Sequence, residues 1–323
     1  MKHLKTLLGT LLITALIVTS CTKEDDGDII ITPVPTAQDF ANLKQDALDA
    51  LTQEYSLNAE DGATTFTSNN GVSMTIQGTC LTLNGNSVTG QVDIKYIELF
   101  EKGNMLSTNK PTMGALPNGD KALLISAGEF LIEASQNGQI LETTCAIQLI
   151  IPTALTGGPD NDMLLWDGRI DEDDNLTWGK AEDVTGQGGV FTEGDGQYYA
   201  FLQQFGWSNV DRFYSDPRPK TTILAQAPDG YDYSNSAVYL SYDGEDTGLA
   251  GLDTYAAGLF SEHYGQIPIG LECHVIFVTE DNGDWRYAIK AVTIVEGGVI
   301  TFTIGETSII SEAGLTALIN ALP

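Results

Sequence analysis

Only three histidines stand in the 323 residues, His3, His263 and His274, so the chain is poor in the side chain that most readily moves protons near neutral pH. Cys273 and His274 are neighbours in an alternating run, and neighbours on a strand point to opposite faces, which defeats a Cys–His dyad. Gly206-Trp207-Ser208-Asn209-Val210 begins like a nucleophile elbow but lacks the closing glycine, and no His-Glu-x-x-His, phosphate loop or Gly-x-Gly-x-x-Gly is present. Paired carboxylates could serve a glycosidase, but with 44 acids such pairs arise by chance. No catalytic residue, cofactor or metal site is therefore assigned. Asp171-Glu172-Asp173-Asp174-Asn175 starts as a calcium loop, yet Leu176 stands where the sharp turn needs glycine and no Glu follows at the twelfth place. A solvated acidic loop is the default.

The densest constellation is Phe205-Gly206-Trp207-Ser208-Asn209-Val210-Asp211-Arg212-Phe213. An exposed Trp207 could stack on a sugar ring or a partner side chain while Asn209, Asp211 and Arg212 bond hydroxyls. These four are the candidate ligand-binding residues. The competing reading, the ordinary fate of aromatics in a packed chain, puts Trp207 and Phe213 in the core with Asp211-Arg212 satisfying a turn.

Cys21 carries chemistry of another kind. It follows a basic start (Lys2, His3, Lys5), an apolar run from Leu7 to Val18 too short to span a bilayer, and the small residues Thr19-Ser20. The segment resembles a bacterial lipoprotein signal, which implies cleavage before Cys21, acylation there, and tethering by several chains that make release negligible. Residues 1–20 are then the signal and 21–35 a tether, acidic at Lys23-Glu24-Asp25-Asp26-Gly27-Asp28 and extended at the prolines Pro33 and Pro35. The charged run resembles the export tag of Bacteroidetes surface lipoproteins, which implies an outer-membrane protein facing outward.

Composition bounds the partners. A net charge of −29 repels nucleic acid and anionic headgroups, and cleavage removing Lys2 and Lys5 would leave the chain more acidic still. Nucleic-acid binding is excluded. The 42% hydrophobic content supports a packed body, and the length suggests two domains. Cys80, Cys145 and Cys273 remain after Cys21, so at most one disulfide forms among them. Cys80 and Cys145 fall in one expected domain and are the favoured pair, although each sits in a strand-like run where a buried free thiol is equally ordinary.

The elements that must position these residues are mostly strands. Thr36 and Asp39 form a capping-box-like pair, and Phe40, Leu43, Ala47, Leu51 and Tyr55 recur at helical spacing, predicting an amphipathic helix over 36–57. From Thr64 the period becomes two, through Val72–Ile76, Leu81–Leu83 and Val92–Ile97, with Asn-Gly and Thr-Gly turns between. Strands are also expected at 130–134, 145–151, 163–166, 198–205, 221–225, 237–242, 273–279, 285–294 and 299–304, and a short helix capped by Ser311 closes the chain. Gly157-Gly158-Pro159-Asp160 marks the expected junction, giving a helix plus β-sandwich domain at 36–157 and a second β-rich domain at 158–323. The fold class is mainly β, with two sandwich-like domains.

Gly71-Val-Ser-Met-Thr-Ile76, Val88-Thr-Gly-Gln-Val-Asp-Ile94, Glu98-Leu-Phe100, Ser126-Ala-Gly-Glu-Phe130, Phe205 to Phe213 and Ile267-Pro-Ile-Gly270 resemble uncharacterised Bacteroidetes surface lipoproteins. Their first domain is similar to the interaction β-sandwich of ankyrins and netrin receptors. The resemblance implies a lipid-anchored binding or scaffolding protein without catalysis, with an envelope protein or an extracellular polymer as partner; glycan binding is the alternative, and an extracellular hydrolase the third. Some relatives of that sandwich cleave themselves at a His or Phe followed by Ser-Ser, which is absent here.

Overall fold

The period-two signal is realised as strands paired mostly antiparallel in the computed structural model, which describes residues 34–172, 174–182, 189–193 and 196–323. The signal segment, Cys21 and the acidic part of the tether lie outside the described residues. Among those described, no helix is long and apolar enough to cross a membrane.

The chain is mainly β, as expected. In order, the principal elements are α1 (Ala37–Ala50), β1 (Gln53–Asn58), β2 (Ala63–Thr67), β3 (Ser73–Gln77), β4 (Gln91–Leu99), α2 (Lys102–Ser107), β5 (Met113–Ala115), β6 (Lys121–Gln136) and β7 (Ile147–Pro152). They continue as β8 (Leu164–Ile170), β9 (Leu176–Lys180), β10 (Gly189–Glu193), β11 (Gln197–Leu202), β12 (Gly206–Phe213), β13 (Lys220–Gln226) and β14 (Ser236–Tyr242). Last come β15 (Leu259–Pro268), β16 (Glu272–Asp281), β17 (Asp284–Thr293), β18 (Val299–Thr301), β19 (Ser308–Ile310) and α3 (Glu312–Asn320).

Four larger sheets result. The first runs β1-β4-β6-β12-β8-β9-β5 and faces a second of order β10-β11-β7-β3-β2, with Val92, Ile94, Phe130, Leu149 and Ala200 among the residues between them. A third, containing β15-β13-β18, faces a fourth, β14-β16-β17-β19, over Ile223, Phe260, Val275 and Phe277. Between the first and fourth sheets lies a third apolar cluster, into which α1, α2 and α3 send Phe40, Leu43, Met105, Leu106, Leu315 and Ile319.

Three expectations are corrected. The turn at 157–160 does not separate two sandwiches, because β8, β9 and β12 join the first sheet and β10 and β11 the second. Asp160 holds the turn to these strands: its carboxylate accepts from Arg212 Nε at 2.5 Å and its backbone N–H donates to the Tyr198 hydroxyl at 2.7 Å. The chain instead passes to the second sandwich between Phe213 and Lys220. The helix stops at Ala50, capped as predicted by the reciprocal Thr36–Asp39 pair, and Gln53–Asn58 pairs with β4. There Tyr55 and Leu57 turn inward on period two, and Tyr55 packs on the Phe66 ring at 4.9 Å, a sheet partner that outweighs the helical spacing. Finally, 206–213 is a strand throughout and Asp211-Arg212 is no turn.

Cys80 and Cys145 form a disulfide with their Cα atoms 5.7 Å apart, and Cys273 is a buried free thiol. Asn282-Gly283 closes the β16–β17 hairpin with φ +53° and +90°, the pairing that two positive-φ positions require.

Candidate functional site

The Trp207 constellation lies on β12, whose two faces are both covered. One face meets the core between the first and second sheets through Val210; the other meets the helix-filled cluster through Trp207. Trp207 is 9% exposed, packs edge-on against Trp178 at 6.4 Å and has Lys110 Nζ 5.9 Å from its ring centre. Asn209 and Asp211 are wholly buried, and Arg212, half-buried, is committed to Asp160. The expected ligand-binding set is thus brought together by the strand, with Trp207, Asn209 and Asp211 withheld from solvent and Arg212 held by Asp160.

Around Asp211 the arrangement is polar and closed. Opposite it, β6 carries a bulge at Ala127-Gly128, so that Ser126 pairs with Asp211 and Glu129 with Asn209. Gly128 sits at φ +128°, and a Cβ there would meet the Phe100 and Phe130 rings at 2.6 Å, so glycine is required. Ser126 Oγ donates to Asn209 Oδ1 at 3.0 Å, Asn209 Nδ2 to Asp211 Oδ2 at 2.5 Å, and Trp166 Nε1 to the Asp211 carbonyl at 2.9 Å. Neither Glu129 carboxyl oxygen has a hydrogen-bond partner among the described residues. Burial pushes the Glu129 carboxyl well above the usual range, Asp211 adds to this, and Lys110 opposes it. Burial likewise raises Asp211 against the hydrogen bonds it receives.

The histidines hold local positions. His274 Nδ1 lies 2.7 Å from Asp243 Oδ1, and its cross-strand neighbour Ser241 is buried with no partner for its hydroxyl among the described residues, while Cys273 faces the opposite core. Burial pushes the Cys273 thiol up to about 12, which leaves it an inert apolar residue at neutral pH. His263 Nδ1 is 2.8 Å from Thr254 Oγ1 on the surface. In the acidic loop, Asp174 pairs with Lys44 at 3.1 Å and Lys110 at 3.9 Å, so it clasps the loop to α1 and to the segment after α2. Asp173 lies outside the described residues, and no group of three metal-binding side chains forms among those described. A cavity of about 50 Å³ beside Phe40, Lys44 and Tyr239 is of water size.

An accessible surface of mixed chemistry stands elsewhere, on the outer face of the second sheet. Burial alternates along β2, β3, β7 and β11: on β11, Tyr198, Ala200 and Leu202 are buried while Tyr199 and Phe201 are half-exposed. Register aligns two rows across all five strands. One is Gly189, Phe201, Gln148, Thr75, Thr65; the other is Phe191, Tyr199, Ile150, Ser73, Thr67. Phe191, 57% exposed, meets Phe201 with ring centres 6.1 Å apart at 69°, and Thr65 and Thr75 share a hydroxyl contact of 2.8 Å. Two open clefts of about 570 and 530 Å³ share Gln203 and Gln204, and only the first includes residues of β10. The first is bordered by Phe191, Asp167, Arg169 and Lys180, the second by Glu133 and Glu142. This face joins rings, amides and hydroxyls, the groups that bind a ligand by stacking and hydrogen bonding.

No protein-family model matches the chain, and no curated protein matches it.

Sequence reasoning missed this face although its signal was present. Alternation within Tyr198–Leu202 was legible, but only the pairing of β10 and β7 with β11 decides which alternate set meets water.

Proposed function

We propose that this protein is a lipid-anchored binding or scaffolding protein of a Gram-negative cell surface, acting without catalysis, and that the outer face of its second sheet is the surface it presents. The observation that carries this reading is the pair of rows across five strands in which Phe191, Phe201 and Tyr199 supply rings, Gln148 an amide and Thr65, Thr67, Ser73 and Thr75 hydroxyls, with Gly189 and Ile150 completing the rows. The lipobox-like run ending at Cys21 supports the anchor, and the Cys80–Cys145 disulfide fits an oxidising compartment outside the cytoplasm.

The test is made on cells. Wild-type protein incorporates labelled palmitate and is degraded by external protease on intact cells, and Cys21→Ser abolishes the incorporation. Protein without label, or free in the culture fluid, contradicts the reading.

A further inference from the structure

Resting on that reading of the outer face as the binding surface, we infer that its ligand is a single uncharged oligosaccharide chain. The protein carries 59 ionisable Lys, Arg, Asp and Glu side chains (15 basic and 44 acidic), yet the two rows contain none. Two uncharged rows on a body of net charge −29, bordered beside Phe191 by Asp167, Arg169 and Lys180, accept a neutral polymer, whereas a polyanion meets repulsion and a basic one finds its counter-charges elsewhere on the surface.

The chemistry of the rows matches hydroxyl-rich rings. Phe191 and Tyr199 pair across the strands, presenting apolar surface for the C–H faces of a sugar. Gln148, Ser73 and Thr75 then supply amide and hydroxyl groups that both donate and accept, as sugar hydroxyls do. At a strand spacing of about 4.8 Å, five strands extend the face by roughly 19 Å, room for a short run of sugar residues. The 69° angle between the Phe191 and Phe201 rings denies a flat shared plane, so a twisted soluble chain fits better than a crystalline polysaccharide surface.

Affinity electrophoresis tests this on the soluble body, residues 34–323, which the contacts mark off as one compact unit. The gels contain one polymer each: starch, xyloglucan, galactomannan, arabinoxylan or mixed-linkage glucan as neutral probes, polygalacturonate and heparin as anionic ones. At least one neutral polymer retards the wild type, and Phe191→Ala and Gln148→Ala each weaken the retardation at least tenfold, with unchanged circular dichroism. Trp207→Phe leaves it unchanged. The inference is overturned if no neutral polymer retards the protein, if only the anionic ones do, if the two face variants bind as wild type does, or if the face proves to bind a protein or a second copy of the chain. The lipid-anchored part of the proposed function stands through all of these outcomes and falls only on the palmitate and protease measurements, whereas face variants that bind as wild type does would also remove the outer face as the surface presented.

Discussion

Strands β11 and β12 follow one another, joined by Gln203, Gln204 and Phe205, and their fates are opposite. β12 carries the densest mixture of aromatic, amide and charged groups in the chain and buries nearly all of it, because its sheet has apolar layers on both sides. β11 carries a plainer sequence and leaves Tyr199 and Phe201 half-exposed, because among the described residues its sheet is covered on one side only. Whether a ring is available for binding is thus decided by the number of layers over its sheet, not by the chemical variety of its neighbours.

The largest expected effect comes from breaking the covered side. Trp207→Ala removes a buried indole between Trp178 and the helix-filled cluster, and costs about 3–5 kcal/mol in urea denaturation, the range for large-to-small aromatic changes in cores. A cost below about 1 kcal/mol would return Trp207 to the surface. Next is the disulfide, which closes a separation of 65 residues in the first sandwich. Its reduction, or a Cys80→Ser, Cys145→Ser pair, destabilises by about 2–4 kcal/mol through the greater freedom of the unfolded chain.

The buried carboxyls of β6 and β12 give a pH dependence that the outer face lacks. The native state raises Glu129 and Asp211 above their unfolded values, so it holds protons that the unfolded chain releases. Their contribution to stability is complete at pH below the ordinary carboxyl range and is lost as pH rises through the raised native values. Glu262, pushed by burial up to about 7 in the second sandwich, adds a step in the same direction near neutrality. Glu129→Gln flattens the fall of stability with rising pH by up to about 1.4 kcal/mol per pH unit, read from urea midpoints between pH 5 and 9. An unchanged slope would show that Glu129 is ionised in the native state. The smallest effect belongs to the open side: Phe191→Ala, at 57% exposure, changes stability by no more than about 0.5 kcal/mol.

Much of the fold was legible because it rests on local chemistry. The Thr36–Asp39 cap, the Ser311 cap and the Asn282-Gly283 hairpin each need only neighbouring residues to specify them. What escaped depends on distant partners. Tyr55 fits a helical stripe until β4 offers it a ladder, and Gly157 to Asp160 resembles a domain linker until Arg212, 52 residues from Asp160, ties it down. Asp211 fits a surface turn until the bulge at Gly128 brings Ser126 opposite it. The burial of the candidate set at 205–213 was hidden for the same reason: the layer covering Trp207 is built from α1, α2, α3, β9 and β14, none of which is adjacent in sequence.

Acrylamide quenching of tryptophan fluorescence tests both sides of the contrast at once. All four tryptophans are buried, Trp207 the most exposed at 9%. The native protein is therefore expected to show weak quenching that rises sharply on unfolding, and Phe191→Trp to add one freely quenched component. Strong quenching of the native wild type, or a shielded tryptophan at 191, would contradict the account.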